Sequence, residues 1–238
     1  MIEALFFACF GLFFLQLYLA NGFRLNWTLI LLAVSFHAFY SFGWQGVWFL
    51  LAAAVISTVA ELVSLTSRFN VFGVAYKYDL SHKLFPSRVS LMGVYPVEVT
   101  AAWVLLKYLS FYLVSVVGIH NLVSAAAALV SFDLLVDPVA VSLGAWKWAR
   151  SGRFFGVPWQ NFLGWFLVGV VTSIPFSNLI QISGFQPEMF ASVLVVWAII
   201  LWWLGRILLR LDVGKGILAC VPASLFLFFG LWTLVVKN

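Results

Sequence analysis

Residues 119–145 read IHNLVSAAAALVSFDLLVDPVAVSLGA, an almost uninterrupted apolar run in which Asp133 and Asp137 are the only charged side chains. A bilayer-spanning helix needs roughly 20 mostly apolar residues, so the run is long enough to cross. An ionisable side chain inside such a span costs at least ~2.5–3.5 kcal/mol on insertion scales and usually marks function. The two aspartates are spaced i,i+4, which stacks them on one helix face, where they can share a proton or a water. Carboxylates this close in a low-dielectric site cannot all ionise cheaply, so at least one is expected to hold its proton.

Outward from this run the rest of the chain has the same character. Of 238 residues, 64% are hydrophobic and 9% charged, with a mean hydropathy of +1.08. A soluble domain carries about 25% charged residues, so too few polar side chains exist here to coat a water-facing surface. The expected fold is all-α: a polytopic membrane helical bundle in the lipid bilayer, with residues 1–238 forming a single transmembrane domain. About eight spans are expected, near residues 2–20, 27–43, 46–66, 90–117, 119–145, 159–181, 189–209 and 214–236. The second is the shortest, and its loss would leave seven. The first lacks the basic flank and cleavage site of a secretion signal and is expected to be retained.

Loop charge sets the orientation. The first connection carries Arg24; the third carries Arg68, Lys77, Lys83 and Arg88; the fifth carries Lys147, Arg150 and Arg153; the seventh carries Arg206, Arg210 and Lys215. The second, fourth and sixth carry neither Lys nor Arg. The positive-inside rule therefore makes this a multi-pass cell-membrane protein with both termini extracytoplasmic. The net charge of +5 follows from these loops and calls for no nucleic-acid partner. The longest loop, residues 67–89, is suited to lying on the membrane or folding back as a lid.

On this topology four acids fall in one half of the bilayer. At ~1.5 Å per residue, Glu61 lies ~8 Å and Glu98 ~12 Å from the cytoplasmic end of their spans, with Asp137 at ~12 Å and Asp133 at ~18 Å. An ion pair with Arg68 or Arg150, or a helix cap, is the structural alternative for Glu61, and a kink at Pro138 for Asp137. Lys107, the one cation buried mid-span, is expected to pair with a carboxylate or to snorkel. His37 and His120 are isolated, Cys9 and Cys220 lie near opposite ends, and no glycine-rich phosphate loop occurs. Neither a metal nor a cofactor is therefore expected. Aromatic residues make up 18% of the chain. Most suit interfacial belts and packing, whereas Trp146, Trp148, Trp159 and Trp165, next to the acids, are candidates to line a cleft for an isoprenoid chain and to stabilise a carbocation.

Several blocks carry a more specific likeness: ELVSLTSRFNVFGVAYKY (residues 61–78), YPVEV (95–99), DLLVDP (133–138), GAWKW (144–148) and FGVPWQNFLGW (155–165). Together they resemble the membrane carotenoid hydratases. The resemblance covers about residues 55–170 and implies addition of water across the terminal double bond of an acyclic carotenoid, giving a tertiary alcohol. It implies an acyclic carotenoid and water as partners and no redox or nucleotide cofactor. On this reading Asp133 or Asp137 donates the proton, and Glu61 or Glu98 orients and deprotonates the water. Asn161 and Tyr76 hold that water. The run Pro96-Val-Glu98 is also similar to the proline-acid motif of small lycopene cyclases, although Val99 stands where that motif has its second acid. A cyclase would trap the same cation with an internal alkene. A proton-coupled transporter would also need buried carboxylates, but no inverted repeat is visible.

The loop charges yield a direct expectation. Cysteines placed in the 67–89 loop should react with membrane-impermeant reagents from the cytoplasmic side only, and cysteines near Gln186 from outside only. Labelling of both from one side would overturn the eight-span topology.

Overall fold

The computed structural model describes residues 27–117, 122–179 and 187–237. Seven α-helices occur among them: α1 (Trp27–Phe42), α2 (Trp44–Thr66), α3 (Val97–Val117), α4 (Leu122–Leu143), α5 (Trp159–Ser173), α6 (Pro187–Leu211) and α7 (Val213–Lys237). The expected first span, near residues 2–20, lies outside the described residues. The other seven expected spans each correspond to one of these helices, so the protein is a polytopic helical bundle.

Five helices contain segments long and apolar enough to cross a membrane: Trp44–Thr66, Val97–Val117, Leu122–Leu143, Val193–Leu211 and Val213–Val236. α1 and α5 are shorter, with 16 and 15 residues, or ~24 and ~22 Å against a hydrocarbon core of ~30 Å. The span expected at 159–181 is thus cut short. Pro175 has no N–H to continue the ladder, and the chain tightens into a 3₁₀ turn at Ile174–Phe176. α3 is buried over nearly its whole length, touching α1, α2, α4, α6 and α7. α4 in turn packs against α3, α5, α6 and α7.

The span expected from residue 90 also begins later. Residues Ser90–Leu91 (β2) and Tyr95–Pro96 (β3) pair as a small antiparallel hairpin, and α3 starts only at Val97.

The 67–89 loop folds back over the bundle as a lid. Ser64 Oγ, which donates to Ala60 O, accepts the Val71 N–H at 3.0 Å, and Asn70 Oδ1 accepts the Phe72 N–H at 2.8 Å. These bonds turn the chain back as it leaves α2. Phe72 is then fully buried, and Gly73, at φ +72°, supplies the left-handed residue the reversal requires. Beyond it Tyr76–Tyr78 (β1) pairs antiparallel with Trp146–Trp148 (β4), setting Tyr76 opposite Trp148 and Tyr78 opposite Trp146. Asp79 N–H to Ala145 O and Ala149 N–H to Ala75 O extend the ribbon at both ends.

The lid seats on α5 at Gly164, where an added Cβ would lie 2.6 Å from Phe72 Cδ1 and 2.8 Å from Val71 O. Gly164→Ala should therefore push the lid off its seat and destabilise the protein by ~1–3 kcal/mol, as overpacking does. Thermal unfolding in detergent and protease cleavage within residues 67–89 measure this. An unchanged melting temperature and unchanged cleavage would show that the lid does not depend on that contact.

Candidate active site

Asp133 and Asp137 share one face of α4 because they lie four residues apart, and α5 packs against α4. Asn161, in the first turn of α5, donates one amide N–H to Asp133 Oδ2 at 2.9 Å and one to Asp137 Oδ2 at 2.6 Å. Both hydrogens of its NH₂ group are thereby used. The same turn is the positive end of the α5 dipole, which favours negative charge nearby. Asp133 Oδ1 has no hydrogen-bond partner among the described residues.

Glu61 comes from the last turns of α2, and its Oε2 accepts the hydroxyls of Tyr76 and Tyr78, the latter at 3.0 Å. Burial first, and then the Glu61 carboxylate beside them, hold both phenols well above their ordinary range, so they serve as O–H donors at physiological pH. Glu61, Asp133, Asp137 and Asn161 are all 3% exposed or less. None of the three acids forms an ion pair with Lys or Arg among the described residues.

The roof over these acids is the β1/β4 ribbon. Successive strand residues face opposite ways: Lys77 and Lys147 are exposed, whereas Tyr76, Tyr78, Trp146 and Trp148 are wholly or partly buried. Ring centroids lie 4.7 Å apart for Tyr76 and Trp148 and 5.4 Å apart for Tyr78 and Trp146. Phe72 stacks on Trp165 at 4.9 Å, and Trp165 on Trp103 at 3.4 Å. The acids are thus boxed by aromatic rings, whose faces attract positive charge.

Two cavities meet at this box. A void of about 10 Å³ is bordered by Glu61, Tyr76, Tyr78, Asp137 and Asn161, room for about one water. A cavity of about 170 Å³, walled mostly by apolar side chains of α3, α4 and α6, lies next to it. Trp103 and Trp146 line both.

Of the residues singled out in the sequence, Glu61, Asp133, Asp137, Tyr76, Asn161, Trp146, Trp148 and Trp165 converge here. Two do not. Trp159 is 66% exposed and heads the stripe Trp159, Leu163, Leu167 and Val171, all exposed; the buried stripe of α5 carries Asn161, Trp165, Val168 and Thr172. Glu98 stands in the first turn of α3 rather than eight residues into a span. Its Oε1 accepts the Ser87 N–H at 2.7 Å, and it borders the large cavity instead of the small void.

Lys107 pairs with no carboxylate among the described residues and does not snorkel; buried, it donates to Thr172 Oγ1 at 2.5 Å and Val168 O at 3.4 Å. Phe72, Tyr78 and Trp103 also line the site, beyond the candidates named from the sequence. For Tyr78 a signal exists: Tyr-Lys-Tyr and Trp-Lys-Trp share one alternation of aromatics about a lysine, as expected of two strands with a common buried face.

A bundle of membrane-crossing helices with a carboxylate cluster sealed beneath an aromatic lid defines the class: an integral membrane protein with a buried acid site. Residues 22–232 match the model of the family described as "Carotenoid biosynthesis protein", and the chain belongs to that family. It is also similar to the bisanhydrobacterioruberin hydratase of Haloarcula japonica, with 43% identity over 56 residues. That alignment takes in 24% of this chain and 19% of the relative's length. No solved structure matches the chain.

The bridge between the aspartates is open to a direct check. Asn161→Leu removes the shared donor from two buried acceptors and should lower unfolding stability by ~1–3 kcal/mol. Adding Asp133→Asn should restore part of the loss, because the new amide can donate to Asp137 one turn away. Detergent melting curves of the single and double variants test this; two strictly additive losses would exclude the bridging role.

Proposed function

We propose that the protein is a carotenoid hydratase that adds water to the terminal double bond of an acyclic carotenoid. The observation that carries the reading is the pairing of a water-sized void bordered by two carboxylates, Glu61 and Asp137, with a large apolar cavity, the two bordered in common by Trp103 and Trp146. The hydratase relative and the family support it. The apolar cavity receives the end of the polyene, and the lid keeps bulk water out.

In the first step the protonated member of the Asp133–Asp137 pair gives its proton to the less substituted carbon of the alkene, whose π electrons form the new C–H bond. The positive charge that develops on the tertiary carbon lies against the faces of Trp103 and Trp146. The water in the small void attacks that carbon through an oxygen lone pair, forming the C–O bond. Glu61, oriented by Tyr76 and Tyr78, takes the proton the water loses. Return of that proton to the aspartate pair resets the site, so the net change is one water added with no change of redox state. Asn161 holds the two aspartates in register throughout. The exposed Lys77 and Lys147 of the lid support placing this end of the bundle at the cytoplasmic face of the cell membrane.

Co-expression with an acyclic carotenoid producer tests the activity, with a mass gain of one water expected in the pigment; rearrangement at constant mass would point instead to cyclisation. Asp133→Asn and Asp137→Asn keep side-chain size while removing the ionisable proton. At least one should remain folded and pigment-bound yet lose ~10²–10⁴ of turnover, as expected of a lost general acid. Near-normal turnover by both variants and by the double variant, at matched protein levels, would refute the assignment.

A further inference from the structure

Glu98 is left unused by the hydration chemistry, and its surroundings are unusual for a carboxyl group. It is 4% exposed. Its Oε1 is committed to the Ser87 N–H, which ties down the loop before β2, while Oε2 is buried with no hydrogen-bond partner among the described residues. Glu98 is also the one ionisable side chain bordering the cavity of about 170 Å³, where Leu, Val, Ala, Ile, Phe and Trp form the rest of the lining. A buried acceptor without a donor is costly and calls for an explanation. None of the four tryptophan N–H groups in the wall reaches this oxygen among the described residues, which leaves the contents of the cavity as the source of a donor.

We infer that the cavity between α3, α4 and α6 binds an acyclic isoprenoid alcohol, its hydrocarbon chain against the apolar wall and its hydroxyl donating to Glu98 Oε2. The orientation of the hydrogen bond is set by the protein. One carboxyl oxygen is fixed by a backbone donor, and the other is presented to the ligand as an acceptor. An alcohol meets that demand, whereas a hydrocarbon or an ether does not. The site shares Trp103 and Trp146 with the acid pocket, so the alcohol lies beside the place where water is added. On the hydratase reading it is either the product held after water capture or an alcohol made by an earlier hydroxylation and brought in as substrate.

Binding, which does not depend on that reading, tests the site. Purified protein in neutral-lipid nanodiscs is titrated with geranyllinalool, with its methyl ether and with the matched hydrocarbon, and tryptophan fluorescence quenching reports affinity. The wild-type chain should bind the alcohol about tenfold more tightly than the ether or the hydrocarbon, the worth of one net hydrogen bond. Glu98→Gln tests the polarity. Its amide oxygen keeps the Ser87 N–H, so its NH₂ faces the cavity, and the ether should gain affinity until it approaches the alcohol while the hydrocarbon is unchanged.

Equal binding of all three ligands by the wild type would overturn the inference, as would an alcohol-over-ether preference that Glu98→Gln leaves intact. A protein that shows the expected ligand order yet adds no water to a carotenoid keeps this site and sinks the hydratase reading. A carotenoid already hydrated at one end separates the two sources of alcohol: slowed turnover of unhydrated substrate marks a retained product, and gain of a second water marks a substrate.

Discussion

Three carboxylates are held inside the bundle with no cation paired to them among the described residues, and the local architecture follows from the donors they require. Water would satisfy such groups at a surface, but here the protein must supply N–H and O–H groups itself. Asn161 serves Asp133 and Asp137 from the start of α5, and two tyrosine hydroxyls serve Glu61 from the lid. Each donor obliges its element to be where it is. A lid lying flat on the membrane would strip Glu61 of both partners, and an α5 shifted by one residue would turn Asn161 toward the lipid stripe. The acid site and the fold around it are therefore specified together.

The same arrangement separates two solvents within a few side chains. On one side of Trp103 and Trp146 there is room for about one water among polar atoms; on the other, a cavity walled by apolar side chains with Glu98 as its single ionisable lining residue. Chemistry that passes through a carbocation needs this division, since bulk water or a second base would divert the intermediate. Stacked rings suit the boundary because they exclude water while presenting electron-rich faces to positive charge.

Much of this was legible in the sequence. The i,i+4 spacing of Asp133 and Asp137 and the apolar runs follow from periodicity and composition, a lid is one of the two placements the sequence allows for the 67–89 loop, and the structure brings Glu61 and Asn161 to the same place. What escaped has identifiable physical causes. The β1/β4 ribbon joins two three-residue strands some 70 residues apart, and so short a strand has too little alternation to announce itself against a helical background. Residues 90–96 are apolar enough to read as the start of a span, but the turn between β2 and β3, with Met92 and Gly93 at positive φ, breaks the helix and moves Glu98 to its first turn. Trp159 is near the acids in sequence, but its position on α5 puts it on the exposed stripe with Leu163, Leu167 and Val171.

The central claim is that water from the small void becomes the hydroxyl of the product after proton transfer from a buried carboxylic acid. Turnover in water doubly labelled with heavy oxygen and deuterium tests it most directly. The account predicts one heavy oxygen on the tertiary carbon and one deuterium on the adjacent carbon of each new end group. A product of unchanged elemental composition, or an alcohol whose oxygen carries no label, would contradict it.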